Sequence, residues 1–408
     1  MKYGLIGQRL GHSFSKLIHE KIGDYVYEIK EIAPENVQSF MHSRDFNGIN
    51  VTIPYKETVI PTLDYIDEFA KKIGAVNTVV NKNGKLYGYN TDYLGMKALA
   101  LRVNANPNGK KVVILGTGGT SKTAQAVFSD MGAGEILLAS HSGKSGALSY
   151  EEIYKYHSDA EIIVNTTPVG MYPNTDACPI ELEKFTNLEA VIDAIYNPIN
   201  TKLVLMAKEL GIKAEGGLYM LSMQAVYAYE YFFDKKADQE EIERIYNEAL
   251  DEKTNIVLVG MPSSGKSTIG KILAEETGKK FIDTDEEIVK AEGKEISTIF
   301  SENGEAYFRE LEAKIVADVS KLNGLVIATG GGVILKNENV EALKQNGIIY
   351  FIDRDLELLM PTSSRPLASD REAIEKRYKE RYEIYKRVAT KTVNGNLTPK
   401  EVAEEILK

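Results

Sequence analysis

The apolar, β-branched runs KVVILG, EILLAS, EIIVNT and AVIDAIY in mid-chain, and NIVLVG, GLVIAT and GIIYFID further on, alternate with stretches of helical period. Runs this short, bounded by glycine or polar turns, suit strands buried on both faces. Repeated strand–helix order predicts an α/β fold of parallel strands and crossover helices, with ligands at the carboxyl ends of strands. At 408 residues the chain is too long for one core. Residues 1–104 read as a first α/β unit ending in the turn-rich NANPNGK, and 105–217 as a second that opens on a glycine turn. Residues 218–250 read as helical and suited to pack back on the first unit. A short connector at 250–254, LDEKT, then leads into a last unit, 254–408.

A net charge of −10 argues against nucleic acid or an anionic membrane as the main partner. The single cysteine, Cys178, rules out an internal disulfide and fits a reducing compartment. The start, MKYGLIGQRL, has no long apolar segment, and no apolar run approaches a membrane span. A cytoplasmic enzyme acting on small molecules is the expectation, with its oligomeric state open. Histidines at 12, 19, 42, 141 and 157 lack ligand spacing, so no protein-held transition metal is expected.

KVVILGTGGTSKTAQAVF reads as strand, glycine turn and helix. Gly116, Gly118 and Gly119 would let the backbone approach a pyrophosphate at the helix N-terminus, although Ser121 stands at the third glycine position. The next strand ends in Ser140, His141 and Ser142, followed by Lys144. These are donors rather than the acid that would hold a ribose 2′-hydroxyl, so NADP(H) is expected over NAD.

In the last unit, Gly260-Met-Pro-Ser263-Ser264-Gly265-Lys266-Ser267 is a complete G-x-x-x-x-G-K-[ST] between a strand and a helix. Its amides would cradle the phosphates of ATP, Lys266 would reach the β/γ oxygens, and Ser267 would hold Mg²⁺. Thr268 completes the site at the helix start. Asp283 and Asp285 follow at a strand end, one placed for the metal and one for an acceptor hydroxyl. Arg309, Arg365 and Arg381 are candidates for an anionic substrate and the transferring phosphoryl group. Gly330-Gly331-Gly332 gives a second glycine-rich strand end. No N-K-x-D follows the loop, which argues against a GTPase.

In the first unit, Lys56 just past an apolar strand and Asp92 in an Asn-Thr-Asp turn could together protonate a ketone oxygen during hydride reduction. Residues 1–250 resemble the shikimate dehydrogenases through HSFS, NVTIPYK, GAVNT, GYNTD, GTGG, NTTPVGM, DAIYNP and GLYMLSMQA. The resemblance implies a two-domain dehydrogenase with a Rossmann-type dinucleotide-binding domain, reducing 3-dehydroshikimate to shikimate with NADPH. It implies Lys56 and Asp92 as the catalytic pair and Ser13, Ser15, Asn77 and Gln224 as substrate ligands. Thr52, Asn90 and Tyr196 would line the site, with Met220 near the nicotinamide. Lys16 replaces a frequent proline, and Ser140-His141-Ser142 replaces the family's Asn-Arg-Thr.

Residues 254–408 resemble the shikimate kinases, P-loop enzymes built on a parallel sheet, through the loop, D-T-D, GE.YFR..E, the triple glycine, RPL and R…Y…A. The resemblance implies that Asp285, Arg309 and Arg381 hold shikimate, with Asp285 as base. Asp283 would assist Mg²⁺, Arg365 would come from a lid, and Pro399 would line the adenine site. Met360-Pro361 stand where the family carries basic residues, which predicts a raised KM for ATP. Two alternatives stay open at this level. One is a quinate-tolerant dehydrogenase fused to a kinase for another hydroxy acid, and the other a non-catalytic sensing half.

Overall fold

A computed structural model describes residues 1–10, 14–141, 143, 146–361 and 370–408. The chain divides into two compact units, Met1–Leu250 and Asp251–Lys408.

The first unit holds two sheets. One runs in the order Tyr27–Glu31, Tyr3–Gly7, Gly48–Val51, Thr78–Lys82, Lys85–Tyr89, Tyr65–Ile66. It is mixed rather than parallel: Thr78–Lys82 runs antiparallel to both neighbours. The tight Asn83-Gly84 turn, both residues at positive φ, forces the pairing with Lys85–Tyr89 by joining the two strands with too few residues for a crossover. The second sheet is parallel throughout, in the order Lys213–Glu215, Ala190–Asp193, Ile162–Asn165, Lys111–Leu115, Glu135–Ala139. Its first strand in sequence, Lys111–Leu115, is flanked on either side by later strands, so the chain reverses direction across the sheet there. A crevice opens at its carboxyl end.

Helices Leu218–Phe233 and Gln239–Lys253 follow. Leu218, Met220, Met223 and Val226 join Met96, Leu99 and Ala100 of helix Thr91–Arg102 in one core. Gly95 permits that packing, since a Cβ there would lie 2.6 Å from the Met220 carbonyl oxygen. Arg102 fastens the second helix: it pairs with Glu243 at 3.0 Å, with its guanidinium 4.3 and 4.5 Å from the ring centres of Tyr219 and Tyr246. Such stacking contributes about 0.5–2 kcal/mol per contact. Residues 251–253, expected as connector, are the last turn of that helix; LDEK contains nothing that breaks one.

The second unit is built on a parallel sheet ordered Lys280–Asp283, Leu325–Ala328, Asn255–Val259, Gly347–Asp353, Lys391–Asn394. Again the first strand in sequence is central, and the loop after it opens at the point of reversal. Helix Ile296–Ser320 is broken at Gly304 (φ 82°, ψ 173°). The break starts a fresh helical segment that carries Glu305, Arg309 and Glu312 on one face.

Among the described residues no helix is long and apolar enough to cross a membrane.

Candidate active sites

In the first unit a cavity of about 460 Å³ gathers residues of the first sheet and of the loops and helices that follow strands of the second. Lys56 reaches it from the turn after Gly48–Val51, and Asp92 from the first turn of helix Thr91–Arg102. Lys56 Nζ donates to Asp92 Oδ2 at 2.6 Å, with side chains 28% and 14% exposed. The helix N-terminus favours the carboxylate, and partial burial strengthens its attraction for the ammonium. Asn77 Oδ1 accepts from the Thr91 amide at 2.7 Å and so anchors the helix that presents Asp92. Ser15, Thr52, Asn77, Tyr196, Met220 and Gln224 all line the same cavity.

Ser13 lies outside the described residues. One expected lining residue, Asn90, is not on the wall of the cavity. It is buried and caps the helix instead: its side chain accepts from the Tyr93 amide at 3.0 Å and donates to the Ala75 carbonyl at 2.8 Å. An asparagine three residues before a helical amide is the ordinary N-cap arrangement, and capping wins here over ligand contact.

His19, which flanks the serine motif and reads as a structural or hydrogen-bonding residue, also lines the cavity, as does Asn50, to which the motif reading gives no role. The imidazole stacks on Tyr27 at 3.9 Å between ring centres and shares a hydrogen with the Tyr25 hydroxyl. Tyr27 in turn donates to Asn50 Oδ1 at 2.7 Å. Burial holds His19 down to about 3 from its ordinary 6.5, against the contrary pull of Asn50. Over that interval the unfolded chain binds a proton that the folded chain refuses. The stabilisation is therefore complete above about pH 6.5 and lost as pH falls, by at most about 1.4 kcal/mol per pH unit. The unfolding midpoint of the wild-type unit is expected to fall more steeply between pH 6.5 and 5 than that of His19→Gln. Parallel profiles would remove His19 from the account.

Thr120, just past the glycine turn, lines the same cavity. Gly116 (φ 104°) lies so close to Thr166 and Thr167 that a Cβ would meet the Thr166 hydroxyl at 2.9 Å. Gly118 caps helix Gly119–Asp130, and a Cβ at either Gly118 or Gly119 would enter open space. The helix amides therefore face an unobstructed approach, as a pyrophosphate requires. Ser121 is buried in the helix, its carbonyl accepting from Gln125. At the next strand end Ser140 Oγ is buried with no partner among the described residues, while His141 is exposed near Tyr150. Ser142 and Lys144 lie outside the described residues. An open helix end and an orphaned hydroxyl at the neighbouring strand both fit a dinucleotide.

In the second unit the loop 260–267 turns through Gly260, Ser263 and Gly265, all at positive φ. Gly260 leaves room for the Ser264 hydroxyl, which a Cβ would meet at 3.0 Å. Lys266 is buried, with Nζ donating to the Gly260 and Met261 carbonyls at 2.9 Å each. Ser263 Oγ donates to the Met360 carbonyl at 2.7 Å. Ser267 Oγ donates to Asp283 Oδ2 at 2.6 Å, so the two residues expected at Mg²⁺ are in contact. Among the described residues no three His, Cys, Asp or Glu side chains gather as a metal cage. One hydroxyl beside one carboxylate fits an ion that takes its remaining ligands from water and phosphate. Thr268 is exposed on the helix, and Pro399 opens helix Pro399–Ile406 behind a Thr398 capping box. Arg365 and the rest of 362–369 lie outside the described residues.

The triple glycine explains how the acceptor side is assembled. A Cβ on Gly330 would lie 2.6 Å from Asp285 Oδ1 and 2.9 Å from Glu312 Oε1. On Gly331 it would meet Pro262 at 3.1 Å, and on Gly332 Arg309 Nη1 at 2.0 Å. Each glycine is therefore occupied by a functional side chain or by the phosphate loop. Arg381 Nη1 and the Tyr385 hydroxyl both donate to the Gly331 carbonyl, at 3.0 and 2.5 Å. Glu312, quoted in the motif but assigned no task, pairs with Arg309 at 2.8 Å. Burial pushes its carboxyl above the usual range against the pull of Arg309.

Both sites have counterparts among known proteins. Residues 5–79 match the family model of the shikimate dehydrogenase substrate binding domain. A curated NADP(+)-dependent shikimate dehydrogenase of Clostridium perfringens is 38% identical over 264 residues, spanning 60% of this chain and 97% of that protein. The chain belongs to the shikimate dehydrogenase family. A solved chorismate mutase/shikimate 5-dehydrogenase fusion from Clostridium acetobutylicum is 33% identical with TM-score 0.58, covering 60% of this chain and 95% of that one. A quinate dehydrogenase from Corynebacterium glutamicum, solved with NAD, is 28% identical with TM-score 0.55, covering 60% and 97%. Residues 262–408 match the shikimate kinase family model. A shikimate dehydrogenase unit thus precedes a shikimate kinase domain in one polypeptide, as expected of a bifunctional enzyme of the shikimate pathway.

Proposed function

We propose that the first unit reduces 3-dehydroshikimate to shikimate with NADPH and that the second phosphorylates the 3-hydroxyl of shikimate with ATP and Mg²⁺. The Lys56–Asp92 contact inside a cavity of dehydrogenase lining carries the first half of this reading. The Lys56 ammonium gives its proton to the ketone oxygen as that oxygen becomes an alcohol, and Asp92 holds the ammonium and favours its recharging. Bound NADPH supplies the hydride. Ser15, Asn77 and Gln224 orient the carboxylate and hydroxyls of the substrate around that proton donor.

In the second unit Lys266 exchanges its two loop carbonyls for phosphate oxygens, and Asp285 takes the proton of the attacking hydroxyl. Arg309 and Arg381 hold the acceptor's carboxylate. Ser267 and Asp283 would take Mg²⁺, which supplies charge neutralisation at the phosphates when bound.

The test is a one-pot assay from 3-dehydroshikimate, NADPH and ATP. Shikimate 3-phosphate is expected after a lag, and accumulation of shikimate without the phosphate ester would refute the kinase half. Quinate and NADH run in parallel decide a second reading, favoured by the likeness to the NAD-bound quinate dehydrogenase and by the absence of the family's cofactor arginine at His141. A preference for that pair would replace the NADPH assignment.

A further inference from the structure

The kinase unit contains a guanidinium that the reading above does not use. Arg377 lies one turn before Arg381 on helix Arg371–Val388, so the two side chains leave the same face. Together with Glu305, Leu335, Lys376 and Glu380 they line a cavity of about 310 Å³. Arg377 Nη1 donates to the Ala373 carbonyl at 2.9 Å. Its Nε, like that of Arg381, is buried with no partner among the described residues. Arg381 itself is only 6% exposed.

The neighbouring groups do not supply the missing acceptor. Glu305 is engaged by Arg309 Nη2 at 3.0 Å and Glu312 by Arg309 Nη1 at 2.8 Å. Lys376 adds positive charge, and Glu380 is exposed. Burial, then the Arg381 charge, holds the Arg377 guanidinium below its ordinary pKa. Two buried N–H donors on mutually repelling cations form a wall that an incoming anion would stabilise. The two arginines already assigned to the acceptor are also largely committed: Arg309 to Glu305 and Glu312, and Arg381 Nη1 to Gly331.

We propose that Arg377 is a specificity-determining residue of the kinase site, binding the carboxylate of the hydroxy-acid acceptor alongside Arg381 and so selecting the acid over a neutral polyol. This rests on the reading of the second unit as a shikimate kinase.

The full-length chain is tested with shikimate and with its analogue in which the carboxylate is reduced to a hydroxymethyl group. Arg377→Met is expected to raise the KM for shikimate about tenfold or more, the loss of a charge-assisted contact. Both kcat and the KM for ATP should stay within about twofold, and inhibition by the alcohol should be unmoved. Arg377→Lys, which keeps the charge without the fork, is expected to fall between wild type and Arg377→Met, and it decides the matter if the methionine variant does not fold. An unchanged KM for shikimate, or equal weakening of acid and alcohol, overturns the proposal. Wild-type enzyme unable to phosphorylate shikimate at all would overturn the kinase reading first, a failure visible before any variant is made.

Discussion

Lys56→Met is expected to lower the reductase kcat by roughly 10²–10⁴-fold, the range lost with a positioned general acid, while the same polypeptide phosphorylates shikimate at the wild-type rate. Methionine approximates the length and volume of the lysine stem, so the cavity wall is kept and the ammonium alone is removed. The change also leaves Asp92 without the partner that it holds at 2.6 Å. That carboxylate retains the helix N-terminus and 14% exposure, so the unit should still fold, with a stability loss of about 1–3 kcal/mol. The phosphorylation assay serves as an internal control, because Lys56 belongs to the other unit. Asp92→Asn should also impair turnover, by less than removal of the ammonium itself, since it keeps a hydrogen-bonding group beside the proton donor. A Lys56→Met enzyme with full reductase kcat would end the assignment of Lys56 as proton donor. A drop in both activities would instead point to a folding defect.

What could be read from the sequence divides by range of interaction. The parallel strands were legible because each is an apolar run closed by a glycine or polar turn, a local signal that owes nothing to distant residues. The phosphate loop was legible for the same reason: its spacing, its positive-φ positions and its helix start are all local. In the first sheet, the antiparallel pairing of Thr78–Lys82 with Lys85–Tyr89 turns on a two-residue link at Asn83-Gly84, and its pairing with Gly48–Val51 joins strands far apart in sequence. The family resemblance implies Asn90 at the substrate, whereas its side chain accepts from the Tyr93 amide and caps the helix. Roles made by long-range pairing were the ones missed. Glu312 becomes informative only when Gly330 brings it beside Asp285, and Asn50 only when Tyr27 donates to it beneath His19. Arg377 on a lysine-rich helix reads as a solvated face until its Nε is found buried.

Asp285→Asn is expected to reduce the phosphorylation rate about 10²–10⁴-fold with the reductase unaffected. Its carboxylate is placed by two local devices. The Asp285 amide donates to Asp283 Oδ1 at 3.0 Å, which caps helix Thr284–Glu292 and fixes the first turn. The absence of a side chain at Gly330 then lets Asp285 Oδ1 come within 2.6 Å of where a Cβ would stand. Asparagine preserves size and shape there but accepts no proton at neutral pH, so binding and chemistry separate. The KM for shikimate should move by less than about tenfold, and the loss should fall on kcat. The neighbouring carboxylate gives the sharper contrast. Glu312→Gln leaves the proton acceptor in place but weakens the ion pair that orients Arg309 at 2.8 Å. Its loss should therefore appear mainly in the KM for shikimate. Equal effects of the two substitutions on kcat would mean that neither carboxylate is the sole base. A kcat retained by Asp285→Asn would return the proton to solvent or to a phosphate oxygen, leaving Asp285 to position the hydroxyl.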